Sequence, residues 1–154
     1  MNPADLARER LAVFMDARGL KHTRQRDMIL DEFYAAGSHV SVDDLLKLVV
    51  ERMAGVGAAT VYRTLKLFAE AGVAHERHFA DGQTRYEPVT SDDHHDHLIC
   101  TVCGTIFEFE DPIIEARQAE VAREHGLIVH THRHEIYGTC MAPETCKHRA
   151  ARAG

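Results

Sequence analysis

The residues with the most chemistry to offer are four cysteines and 12 histidines in a chain of 154 residues. The cysteines fall in two pairs, Cys100 with Cys103 in HHDHLICTVCGTIFEF and Cys140 with Cys146 in YGTCMAPETCKH. A CxxC knuckle followed by Gly104 and an alternating stretch is how a zinc turn presents two thiolates at tetrahedral angles. Four thiolates at about 2.3 Å from a zinc ion would close a structural site with no position left open for a substrate. The competing reading is two unrelated pairs of buried thiols.

The tetrapeptide HHDH precedes the knuckle. Read as an extended segment, it alternates faces with a period of two, so His95 and His97 point one way and His94 and Asp96 the other. One short stretch can therefore serve two metal sites on opposite sides of a strand. Mixed imidazole and carboxylate ligands suit a reversibly bound divalent transition metal, unlike a tight all-thiolate cage. Downstream, His130, His132 and His134 in IVHTHRHEI are expected to share one face of a strand; at least one joins a site, and the others are read as solvated.

These groups need elements to position them. In the N-terminal part, Leu6, Leu11, Phe14 and Met15 describe an amphipathic helix ended by Gly19. Thr23 can cap a second helix through Met28, Ile29, Leu30 and Phe33 to Gly37. Ser41, with Asp43 and Asp44 behind it, can cap a third through Leu45, Leu48, Val49 and Met53. In ATVYRTLKLFAEAG, Val61, Leu65 and Phe68 form an inward stripe, while Tyr62, Arg63 and Lys66 share another face. The extended runs VAHERHFA and QTRYEPV flank Asp81 and Gly82, a hairpin signal. Helices followed by a hairpin describe a winged helix-turn-helix, whose second motif helix enters the major groove. Arg63 can donate two hydrogen bonds to guanine and Tyr62 can meet a thymine methyl, whereas a merely solvated face would more usually carry Glu and Lys. Further on, Ile114, Ala119, Val121 and Ala122 in IIEARQAEVAREHG read as the core side of another helix.

Composition sets the outer bounds. A hydrophobic share of 45% with 27% charged residues is that of a globular protein. No segment approaches the roughly 20 apolar residues of a membrane span. The N-terminus mixes acids and bases and lacks the apolar core of a secretory signal, so a cytoplasmic protein is expected, where thiols stay reduced and cysteine pairs point to metal rather than disulfides. The net charge of −6 is unevenly spread. Residues 1–89 carry 12 basic and 13 acidic groups; residues 90–154 carry 6 and 11, with 8 of the histidines and all four cysteines. A near-neutral module, 1–88, is thus joined to an acidic, metal-ligand-rich one, 89–154.

The segments GLKHTRQR, HVSVDDL, GAATVYRTLKLFAEAGV, TRYE, HHDHLICTVCG, IEARQAEVAREHG and YGTC, in this order and spacing, resemble the ferric uptake regulator (Fur) family of metal-dependent bacterial repressors, over nearly the whole chain. The resemblance implies an α+β protein with an N-terminal winged helix-turn-helix domain, a hinge and a C-terminal α/β dimerisation domain. It implies that Tyr62 and Arg63 read bases, that Lys21 reaches into the minor groove, and that Cys100, Cys103, Cys140 and Cys146 hold a structural Zn2+. A regulatory Fe2+ or Mn2+ would be held by His39, Glu87, His95 and His97, and a second metal by His94, Asp96, Glu115 and His132. The partners implied are a second copy of the chain, as a dimer or tetramer, and an A/T-rich palindromic operator in double-stranded DNA.

The chain departs from the family pattern in its second cysteine pair, which has five intervening residues where many relatives have two or four. At the hinge it has Glu87 where peroxide-sensing relatives typically have Asp, which favours metal sensing, with iron read first and zinc or manganese as alternatives. A zinc-dependent hydrolase or deaminase is the rival of another class. The deaminase signature H-x-E followed by P-C-x-x-C is absent, as is H-E-x-x-H. A metal-storage protein would explain the histidines but not the winged helix.

Overall fold

The computed structural model describes residues 2–90 and 95–141. His94 and Cys146 lie outside the described residues. The chain divides into two compact units, residues 1–92 and 93–154.

The first unit opens with three capped helices. Asn2 caps α1 (Pro3–Ala17), Thr23 caps α2 (Arg24–Ala36) through the amide of Arg26, and Ser41 caps α3 (Val42–Arg52) in a reciprocal capping box with Asp44. Gly37 ends α2 at φ 59°, a left-handed conformation that favours glycine. The fourth helix, α4 (Ala58–Glu70), starts at Gly57 with no side-chain cap and no acid in its first turn. A hairpin follows, β1 (Ala74–His78) paired antiparallel with β2 (Thr84–Pro88), turning at Asp81 and Gly82. These are the elements of a winged helix, and their inward stripes meet in one core: Phe33, Leu45, Leu65, Phe68 and Ile29 are fully buried. Each such side chain removed from water is worth roughly 1.5–3 kcal/mol. The first helix differs from expectation at Leu6, which is 53% exposed; Ala7, Leu11 and Met15 carry its inward face instead.

Two contacts tie the wing to the helices. The Tyr34 hydroxyl lies 2.7 Å from the Val73 carbonyl and 3.2 Å from that of Val89, at the two ends of the hairpin. Val40, just before α3, forms an antiparallel bridge with Tyr86 of β2, with N···O distances of 2.9 and 2.7 Å.

Among the described residues the second unit is a three-stranded sheet with one helix. β3 (Asp96–Cys100) lies centrally, antiparallel to β4 (Ile106–Phe109) and parallel to β5 (Glu135–Gly138), and α5 (Pro112–Glu124) makes the crossover. Two expectations are corrected here. No residue of α5 is buried, and Ile113 is 80% exposed; together with Ile114, Val121 and Leu127 it lines an apolar depression on the chain's own surface. Helical periodicity marks a face that avoids water but does not say whether the same chain covers it. The segment holding His130, His132 and His134 is not a strand: β5 begins at Glu135, in register with His97. Among the described residues no helix is long and apolar enough to cross a membrane.

Candidate metal centres and nucleic-acid interface

The antiparallel bridge between Val40 and Tyr86 sets the next pair along, His39 and Glu87, opposite each other and in contact. His39 Nε2 is 2.7 Å from Glu87 Oε2, and their side chains are 4% and 6% exposed. The His39 ring also meets Phe79 edge-on, with ring centres 5.8 Å apart, and the buried Arg85 stacks over the other part of Phe79 while pairing with Asp81. Burial by itself would push the Glu87 carboxyl up, but hydrogen bonds from His39 and Arg77 outweigh it and hold the group well below the usual carboxylate range. A carboxylate kept ionised next to an imidazole is a donor pair that suits a divalent transition metal.

In the second unit, β3 separates its ligands by alternation. The rings of His95 and His97 lie 5.0 Å apart, and His95 Nε2 is 3.4 Å from Glu108 of β4. Glu108 was not among the residues singled out from sequence; it stands directly opposite His97 in the antiparallel register, a pairing that exists only once the sheet is formed. On the other face Asp96, 1% exposed, meets His132, with Nε2 at 3.1 Å from Oδ1. Asp96, Glu115 of the first turn of α5, and His132 bring one ligand atom each within 4.8 Å of one another. His134 adds a ring nitrogen 3.6 Å from the second Asp96 oxygen, whereas His130 is exposed.

The thiols converge as well. Cys100, Cys103 and Cys140 place their sulfurs within 4.8 Å of one another, and Cys100 Sγ is 3.3 Å from Cys140 Sγ. Sulfurs sharing a tetrahedral zinc at about 2.3 Å stand roughly 3.8 Å apart, about half an ångström wider than the Cys100–Cys140 pair and inside the limit that all three sulfurs keep. The Cys103 backbone N–H hydrogen-bonds the Cys100 sulfur, and against the opposing effect of burial this contact and Cys140 bring the Cys100 thiol down to about 6. A sulfur that is readily a thiolate is the form a zinc site needs.

The residues expected from sequence to read DNA bases lie on α4. Tyr62 is 50% exposed and Arg63 is exposed, beside a groove that Thr23 and Arg26 of the α2 N-terminus also line. Lys21 is exposed in the turn between α1 and α2, where its carbonyl accepts a hydrogen bond from Arg26. Lys66 shares the α4 face but is engaged: its Nζ is 2.8 Å from Glu76 Oε2 on β1, and the Tyr86 hydroxyl also bonds Glu76. This contact links α4 to the wing.

The family profile described as the ferric uptake regulator family matches residues 17–137. The chain is 43% identical over 123 residues to the ferric uptake regulation protein of Bordetella parapertussis, covering 79% of this chain and 88% of the relative. It is 40% identical over 138 residues to that of Campylobacter jejuni, covering 88% and 87%. Among solved structures, it is similar to a zinc-bound manganese uptake regulator, with a TM-score of 0.73 at 41% identity over 85% of this chain and 98% of that one. The Helicobacter pylori ferric uptake regulator, described as having three functional metal binding sites, gives a TM-score of 0.83 at 28% identity over 94% and 95%. The chain therefore belongs to the ferric uptake regulator family, whose members are metal-dependent DNA-binding transcriptional repressors and not enzymes.

Proposed function

We propose that the chain represses metal-uptake genes when loaded with a divalent metal, Fe2+ in the first instance, and that loading is read through His39 and Glu87. The observation that carries this reading is the burial of an imidazole and a carboxylate in contact, inside the winged-helix unit and immediately beside the bridge that fastens its wing. His95 and His97 of the second unit are proposed to complete the regulatory set, with Glu108 beside them. When bound, the metal supplies a multivalent link between ligand groups carried by the two units. To take part, His39 must present an unprotonated Nε2 and Glu87 an ionised Oε2, the form in which its hydrogen-bond partners already hold the carboxyl. Ligands drawn from both units favour only those conformations in which the two groups converge. If those conformations space two recognition helices for a two-fold operator, metal and DNA raise each other's affinity by the same factor.

A second metal is proposed at Asp96, Glu115 and His132, with His94 as the fourth ligand, and a structural Zn2+ at Cys100, Cys103, Cys140 and Cys146. The closeness of the described members of each set supports these assignments. Lys21, Tyr62 and Arg63 are assigned to DNA, the last two as readers of bases and Lys21 in the minor groove. We further propose a cytoplasmic protein acting as a dimer, or a pair of dimers, on an A/T-rich palindrome.

A gel shift on palindromic A/T-rich promoter DNA with Fe2+ under anaerobic conditions, Mn2+ or Zn2+ tests the reading. Retardation that requires added metal and is strongest with Fe2+ is expected. Equal retardation with chelator would reject metal-dependent repression, and a response to Zn2+ alone would reassign the metal.

A further inference from the structure

Glu87 already has a cation of the protein's own. Arg77 of β1 donates to Glu87 Oε1 from Nε at 2.9 Å and from Nη2 at 2.8 Å, while His39 approaches Oε2 at 2.7 Å. The two oxygens of this buried carboxylate are thus divided, one facing the imidazole and the other the guanidinium. Arg77 reaches it diagonally across the hairpin, since the register sets Arg77 opposite Arg85 and Glu87 opposite His75. The Arg77 side chain is 38% exposed, so its head can be changed without opening a hole in the core.

We infer that Arg77 sets the metal affinity of the regulatory site, by occupying one oxygen of Glu87 and by keeping a fixed positive charge beside the oxygen offered to the metal. The inference rests on His39 and Glu87 being regulatory ligands. Two effects of the guanidinium oppose each other. It orients the carboxylate and favours its ionised form, which helps a metal bind; it also repels a dication held by the same carboxylate. His39 holds the other carboxylate oxygen at 2.7 Å and goes on orienting the group when Arg77 is changed, so the first effect is the smaller one. The second persists at every pH, because arginine keeps its charge. A unit charge opposing a dication across one carboxylate is worth roughly tenfold in affinity even in a water-like medium. Repulsion therefore wins, and Arg77 makes the site weaker than its ligands alone would make it, holding the protein unloaded until metal is abundant.

The test is an Mn2+ titration of the zinc-containing protein without DNA, with free Mn2+ read by electron paramagnetic resonance. A His132→Ala background silences the second site. Arg77→Met, which keeps much of the stem and removes the charge, should bind Mn2+ about tenfold more tightly. Arg77→Lys, which keeps the charge, should stay within about threefold of the parent. Without metal, Arg77→Met should melt at a lower temperature because Glu87 loses a partner, and saturating Mn2+ should restore most of the loss. If the methionine protein does not fold, Arg77→Gln carries the same expectation. Unchanged or weaker Mn2+ binding in the charge-removed protein overturns the inference. The parallel variant His39→Ala separates the two levels: if it binds Mn2+ as the parent does, the ligand assignment itself fails and this inference with it.

Discussion

His39 and Glu87 face each other one step along from a single antiparallel backbone bridge, 2.7 Å apart at Nε2 and Oε2, although 48 positions separate them in the chain. The contact joins the residue before α3 to the end of the wing, so whatever binds there acts on the part of the DNA-binding unit that carries the wing. These residues lie outside the apolar core cluster, so if they ligate the regulatory metal as proposed, removing one should weaken activation without unfolding the protein. His39→Ala and His97→Ala should each keep the dimer and the structural zinc yet need at least about tenfold more Mn2+ for the same operator occupancy. His130→Ala, at an exposed position outside all three clusters, should leave the titration unchanged. Fluorescence anisotropy of labelled operator against Mn2+ reads all three; a His39→Ala protein that responds like the parent excludes this site as the switch.

The thiol cluster should behave as a folding element. Replacing Cys100, Cys103 or Cys140 by Ser should lose stoichiometric zinc and the dimer together, because metal binding at a structural site is also folding energy. Metal analysis and sedimentation of the purified variants check this. Cys146→Ser carries the same expectation; a variant that retains zinc and stays dimeric would place Cys146 outside the set.

Reading and anchoring on α4 should be separable. Arg63→Ala should cost about 1–3 kcal/mol on the operator and little on random DNA, since a base contact carries sequence information. Lys66 is held by Glu76 in the structure, so Lys66→Ala should loosen the link between α4 and the wing. Its loss should be matched by Glu76→Gln, whereas a phosphate contact would be weakened by the lysine variant alone and would show a shallower salt dependence. Equal losses for Arg63→Ala on both DNAs would reject its role as a reader.

Tyr86 gives a prediction at alkaline pH. Burial, with Glu76 close by, pushes its hydroxyl up to about 12 from the usual value near 10. A folded value above the unfolded one means the neutral phenol stabilises the fold; that contribution is fully present below about pH 10 and is lost as pH rises towards 12. Ultraviolet titration of the four tyrosines should show a late phase, to which Tyr34 also contributes because burial raises its hydroxyl too, and Tyr86→Phe should shrink the latest part of that phase and flatten the alkaline decline in stability. A Tyr86→Phe protein with the parent's titration curve would contradict the assignment.

Local chemistry determined much of this protein. Thr23 and Ser41 begin helices because their hydroxyls satisfy first-turn amides, Gly37 ends one because it tolerates a left-handed backbone, and the alternation in HHDH puts His97 and Asp96 on different faces before any partner is known. Those are effects of neighbours within a few residues. Distances that depend on which segments lie side by side were decided only by the tertiary structure. Glu108 stands beside the histidines because β4 pairs with β3 in one register, and a shift of one residue would send it to the other face. Arg77 reaches Glu87 because a hairpin sets the diagonal, and Lys66 is tied to Glu76 because α4 packs beside the wing. The apolar stripe of α5 was legible as a stripe, but its exposure was not, since periodicity records which side shuns water and leaves open what covers it.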